Sequence, residues 1–192
     1  MSSLNCVGLH ASGTEIAFMK RNRGAPTTAR PRAGVAAIHI VVASRLWTEQ
    51  RGVKALLRRA IREAASATST LMGEIAIVLT DDSAIRALNR HWRGKDAATN
   101  VLSFPAGEPR STRGIPRLLG DIVIAYETTE REARAEHKPF MNHLIHLAVH
   151  GFLHLAGHDH AADDQAAAME RLEAAILARL GVPDPYLARG AA

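Results

Sequence analysis

The chain has 192 residues, 47% of them hydrophobic and 22% charged, with a net charge of +5; that suits one domain with a substantial core. Its single cysteine, Cys6, excludes an intramolecular disulfide and a thiolate-rich zinc cluster, and fits a reducing, cytoplasmic setting. No apolar run approaches the ~20 residues that cross a bilayer, and no glycine-rich phosphate loop of the nucleotide-binding kind is present, which excludes membrane-spanning and NTP-driven classes.

Residues 1–34 have no sustained periodicity and carry Lys20, Arg21, Arg23, Arg30 and Arg32 against Glu15 alone. They are expected to be a disordered N-terminal extension, with residues 35–192 forming a single domain. Residues 37–43 (AIHIVVA) predict a strand. A helix is expected over about 48–67, capped by Thr48, with Val53, Leu56, Leu57, Ala60, Ile61 and Ala64 as its buried stripe. Residues 74–80 predict a second strand. Asp81 or Asp82 can cap a helix running to about Trp92 that turns Ala84, Ile85 and Leu88 inward. A short strand at 101–104 meets Pro105, and a Pro/Gly/Arg loop covers 105–117. Residues 119–125 predict another strand, and helices follow at about 127–137, 139–156 and 163–180. Pro139 suits the first turn of the middle one. Gly181 and Pro183 end the last, whose stripe is Ala166, Met169, Leu172, Ile176 and Leu180. This order predicts an α+β fold: one sheet of about four strands packed by about five helices.

Positive charge is concentrated rather than spread. Residues 86–117 hold Arg86, Arg90, Arg93, Lys95, Arg110, Arg113 and Arg117 against Asp96 and Glu108, and the 48–67 helix adds Arg51, Lys54, Arg58, Arg59 and Arg62. Such patches can receive phosphates, although a solvated helix face has the same composition. Within residues 93–105 (RGKDAATNVLSFP), Arg93, Lys95, Asn100 and Ser103 are candidate substrate contacts on a loop entering a strand. Ordinary turn chemistry at Asp96 and Asn100 is the competing explanation.

The most informative stretch is 150–160, HGFLHLAGHDH. His150 and His154 are four apart, one helical turn, so their imidazoles can share one metal ion. Gly157 lets the chain leave the helix, and His160 can return as a third ligand. Three nitrogens leave one tetrahedral position open, the layout of a catalytic zinc site. His146 also lies one turn from His150, so that pair is an alternative, and His158 competes with His160 for the third place. His146 and Asp159 are candidate outer partners for the ligating rings. One histidine on an apolar helix face is ordinarily a hydrogen-bonded core residue; three at this spacing shift the balance to metal. The spacing matches a zinc-peptidase signature, but the residue after the first histidine is Gly151, where such peptidases carry their glutamate base.

Together these segments resemble the YbeY family of rRNA-maturation endoribonucleases. The resemblance rests on Arg93-Gly94-Lys95-Asp96 through Thr99-Asn100-Val101-Leu102-Ser103-Phe104-Pro105, then Gly120-Asp121-Ile122, His150-Gly151 to Asp159-His160, and Asp184-Pro185-Tyr186, and covers about residues 37–187. It implies a zincin-like metal helix with one Zn2+ per chain held by His150, His154 and His160, and Arg93 as the functional arginine beside the metal. It also implies a cytoplasmic hydrolase of single-stranded RNA that acts in 16S rRNA 3′-end maturation and ribosome quality control, with the ribosome or small-subunit proteins as partners and no membrane. Two other classes share the histidines: an assembly factor with a structural zinc, and a zinc peptidase. His158 stands where the family commonly has tyrosine, and the 106–118 loop is longer and more basic than usual.

Overall fold

The computed structural model describes residues 37–68, 73–107, 118–158 and 163–186. The expected extension at 1–34 and the basic residues Arg110, Arg113 and Arg117 lie outside the described residues. Four strands form one mixed sheet: β1 (Ile38–Val42), β2 (Glu74–Thr80), β3 (Val101–Pro105) and β4 (Leu118–Ala125), in the order β1-β2-β4-β3. The first three in that order run parallel, and β3 closes the edge antiparallel to β4, with Ser103 opposite Ile122 and Pro105 opposite Gly120. Pro105 is tolerated there because an edge strand can spare a backbone donor. Five helices complete the fold: α1 (Val53–Thr68), α2 (Asp82–Arg93), α3 (Tyr126–Ala135), α4 (Phe140–Leu155) and α5 (Asp163–Leu180). The architecture is the expected α+β one.

Two helix starts show local chemistry at work. The Asp81 side chain accepts from the Ala84 amide at 3.0 Å and caps α2, while Asp82 reaches across to the Thr128 amide and hydroxyl on α3 at 3.0 and 2.7 Å. Ala84 is exposed rather than inward; Asn89 takes the buried place, its amide donating to the Ala97 carbonyl at 2.8 Å. Thr48 does not cap α1. Its hydroxyl donates to the Arg45 carbonyl at 2.6 Å and closes a 3-10 turn over Arg45–Trp47. The left-handed backbone at Gly52 (φ +80°) then sets α1 to begin at Val53. That turn buries Trp47, whose indole N–H donates to the Thr80 carbonyl at 2.7 Å and whose ring meets Tyr126 edge-on.

The sheet carries a core on each face. The smaller one gathers Ile85, Leu102, Phe104, Val123 and Ala125 under α2. The larger one places α4 against β3 and β4, with α1, α3 and α5 around it. Helix α4 is therefore buried without a break from His143 to Leu155, which explains why its sequence is apolar nearly all round instead of striped. It comes close to the sheet at Gly151: a Cβ there would lie 3.0 Å from Ile122 Cγ2 and 3.0 Å from Ser103 Oγ. The Ser103 hydroxyl uses that proximity to donate to the Gly151 carbonyl at 3.1 Å. Gly151→Ala should therefore overpack the seam and cost about 1–3 kcal/mol, read as a lower urea midpoint with an unchanged slope; an unchanged midpoint would contradict this contact.

Candidate metal centre

Helix α4 lines up His143, His146, His150 and His154, with exposures of 3, 5, 4 and 4%. Burying an imidazole is costly unless its polar atoms find partners, and the partners divide the row in two. His143 Nε2 meets Glu132 Oε2 of α3 at 2.9 Å, and the same oxygen accepts from the Asn100 amide at 2.9 Å. His146 Nε2 lies 3.3 Å from Glu173 Oε1 of α5, and His150 Nδ1 lies 3.5 Å from that same oxygen. Both are ion-pair contacts at the long end of the hydrogen-bond range. The other nitrogen of His150 does something different: its Nε2 stands 3.2 Å from His154 Nε2, with the ring centroids 4.8 Å apart.

That separation fits a shared ion. Two imidazole nitrogens on a tetrahedral zinc, each at ~2.0–2.1 Å, would be about 3.3 Å apart. Of the two pairings open to the sequence, His150 with His154 converges, whereas His146 turns its Nε2 to a carboxylate. Among the described residues no group of three His, Cys, Asp or Glu forms a complete metal site. His160 and Asp159 lie outside the described residues. The chain is aimed out of α4 by a turn in which Gly157 (φ +91°) donates to the His154 carbonyl at 3.1 Å and His158 donates to the Leu153 carbonyl at 3.0 Å. His158 thus helps end the helix through its backbone, with a half-buried side chain.

Glu173 was not anticipated from the sequence. It is fully buried on α5 and accepts a hydrogen bond from the Tyr186 hydroxyl through its second oxygen. Burial pushes its carboxyl up, but the contacts with His146 and His150 outweigh burial and hold it below the usual carboxylate range. A signal for it existed: residues 169, 173, 176 and 180 share one helix face, and Met169, Ile176 and Leu180 on that face are core. A glutamate in an apolar stripe needs a partner. Glu132, the partner of both Asn100 and His143, sits on the amphipathic α3 and left no such mark.

The remaining candidates surround β3. Arg93 is the last residue of α2, half-buried, just before the left-handed Gly94. Lys95 is exposed. Asp96 is clamped by Arg86 in two hydrogen bonds of 2.8 and 2.9 Å, with Arg90 at 3.8 Å, and the Arg86 bonds hold its carboxyl below the usual range. Asn100 and Ser103 are buried and engaged inside the fold, with Glu132 and with the Gly151 carbonyl. Position 151 faces the sheet rather than the paired nitrogens, so a general base has no room there.

The chain is similar to known proteins. The family model described as endoribonuclease YbeY matches residues 43–181. Proteins named endoribonuclease YbeY from Nitrobacter hamburgensis and from a Bradyrhizobium strain are 54% and 52% identical to the chain. The first match covers 78% of this chain and 82% of the relative, the second 83% and 97%. A solution structure of TM1509 from Thermotoga maritima is 22% identical, with a TM-score of 0.46, covering 77% of this chain and 97% of that one.

The geometry gives Asn100 a structural task separable from the paired nitrogens. Asn100→Ala should lower stability by about 1–3 kcal/mol, because it takes a hydrogen-bond partner from the part-buried Glu132, while bound zinc per folded chain stays unchanged. Denaturant unfolding and metal analysis on the same preparation check both halves.

Proposed function

Because the chain belongs to the YbeY family of endoribonucleases, we propose that it is a zinc-dependent endoribonuclease of single-stranded RNA acting in 16S rRNA 3′-end maturation and ribosome quality control. The observation that carries the metal half of this reading is the 3.2 Å convergence of His150 Nε2 and His154 Nε2, backed by a buried carboxylate. His150, His154 and His160 would hold the ion, one per chain. A zinc ion held there would supply Lewis acidity and make water more acidic, which would stand in for the missing glutamate base.

The chain's own residues do the rest. Arg93 holds the scissile phosphate and balances charge that builds on its oxygens, a task for which a planar guanidinium is well shaped. Lys95, exposed beside it in sequence, holds a flanking phosphate. Asn100 and Ser103 are engaged inside the fold, one with Glu132 and the other with the α4 backbone, and brace the strand that follows this basic segment. The working partners are rRNA and the ribosome or its small-subunit proteins, in the cytoplasm. No helix among the described residues is long and apolar enough to cross a membrane.

Incubation of metal-loaded protein with single-stranded and duplex RNA, beside a His154→Ala control, tests the reading. Cleavage of the single strand alone, lost in a folded, zinc-poor variant, is the expected outcome. A zinc-loaded wild type that cleaves neither would leave an assembly factor with a structural metal. Arg93→Ala should lose about 10²–10³-fold in kcat with zinc content intact; loss of zinc in that variant would make the arginine structural.

A further inference from the structure

We propose that Glu173 is a positioning residue of the metal centre, held by Tyr186 of the C-terminal turn so that it sets the orientation of His150. The inference rests on the metal reading above and adds to it a residue on α5 and a latch near the end of the chain. Three observations carry it.

First, Glu173 Oε1 faces the inner nitrogen of His150, while the outer nitrogen of the same ring faces His154. A carboxylate behind an imidazole keeps the proton on the near nitrogen and leaves the lone pair of the far one for a cation; it also makes that nitrogen a better donor. Second, the carboxylate stands where packing alone would favour an apolar side chain. It is fully buried on a face otherwise filled by Met169, Ile176 and Leu180, and a well-packed apolar residue usually serves a core at least as well as a buried ion pair. Third, the carboxylate is itself held. The Tyr186 hydroxyl donates to its other oxygen. The Tyr186 amide donates to Asp184 Oδ1 at 2.8 Å, which fixes the turn, and the tyrosine ring packs edge-on against His146 at 6.0 Å. The chain Asp184–Tyr186–Glu173–His150 thus connects the C-terminal turn to the paired nitrogens. His146, on the same oxygen at 3.3 Å, keeps Glu173 between two rings.

The test measures zinc affinity of folded apoprotein by competition with a chromophoric chelator, and the visible spectrum of the Co2+-substituted protein. The samples are wild type, Glu173→Gln, Tyr186→Phe and Glu132→Gln. Glu173→Gln keeps the shape and removes the charge; it should bind zinc about 10–100-fold more weakly and shift the cobalt bands. Tyr186→Phe should shift both readouts in the same direction by less. Glu132→Gln, which alters the equivalent contact on His143, should leave both near wild type. Wild-type affinity in Glu173→Gln, or an equal loss in Glu132→Gln, overturns the proposal while leaving the metal reading intact. Should Glu173→Gln fail to fold, an unchanged Tyr186→Phe overturns it instead. Failure of the wild type to bind either ion overturns the metal reading and this inference together.

Discussion

Enclosure of α4 governs the rest of the molecule. A helix packed on one side by the sheet and elsewhere by α1, α3 and α5 leaves little water for its side chains from His143 to Leu155. Four imidazoles on it must therefore be satisfied from within, and the fold meets that demand in two ways. Carboxylates from α3 and α5 approach His143, His146 and the inner edge of His150, while the outer edge of His150 faces His154. The pair proposed to bind metal is the part of the row where two nitrogens face each other. Packing thus selects which histidines face each other, a choice that helical spacing alone left open.

The same enclosure accounts for Gly151. Side chains one residue past His150 point into the sheet, where Ile122 and Ser103 already stand. Absence of the peptidase base is then a consequence of how closely α4 docks, and it is joined to β3 through the Ser103 hydroxyl. Because β3 follows the segment that runs from Arg93, at the end of α2, through Lys95 to Asn100, the strand links that segment to the histidine helix by packing, and Asn100 adds a link through Glu132.

Much of this was legible in the residues. Strands came from β-branched runs, α2 from its aspartate cap, and the end of α4 from Gly157, because each of these signals is local. The misreadings share a cause. Thr48 was available as a cap, but the 3-10 turn that buries Trp47 claimed its hydroxyl; Ala84 lost the inward place to Asn89, whose buried amide answers the Ala97 carbonyl. Glu132 and Glu173 were missed for a similar reason: their partners lie on other helices, 11 and 27 or 23 residues away along the chain, and no local pattern reports such a pairing. Only the break in the apolar stripe of α5 hinted at the second.

The His150–His154 pair, and not His146, is proposed to hold the metal. Anomalous diffraction at the zinc edge from crystals of the metal-loaded protein addresses it most directly. A peak shared by His150 Nε2 and His154 Nε2, with Glu173 behind the inner nitrogen of His150, is the predicted result. A peak on His146, or zinc found only away from α4, would contradict the account.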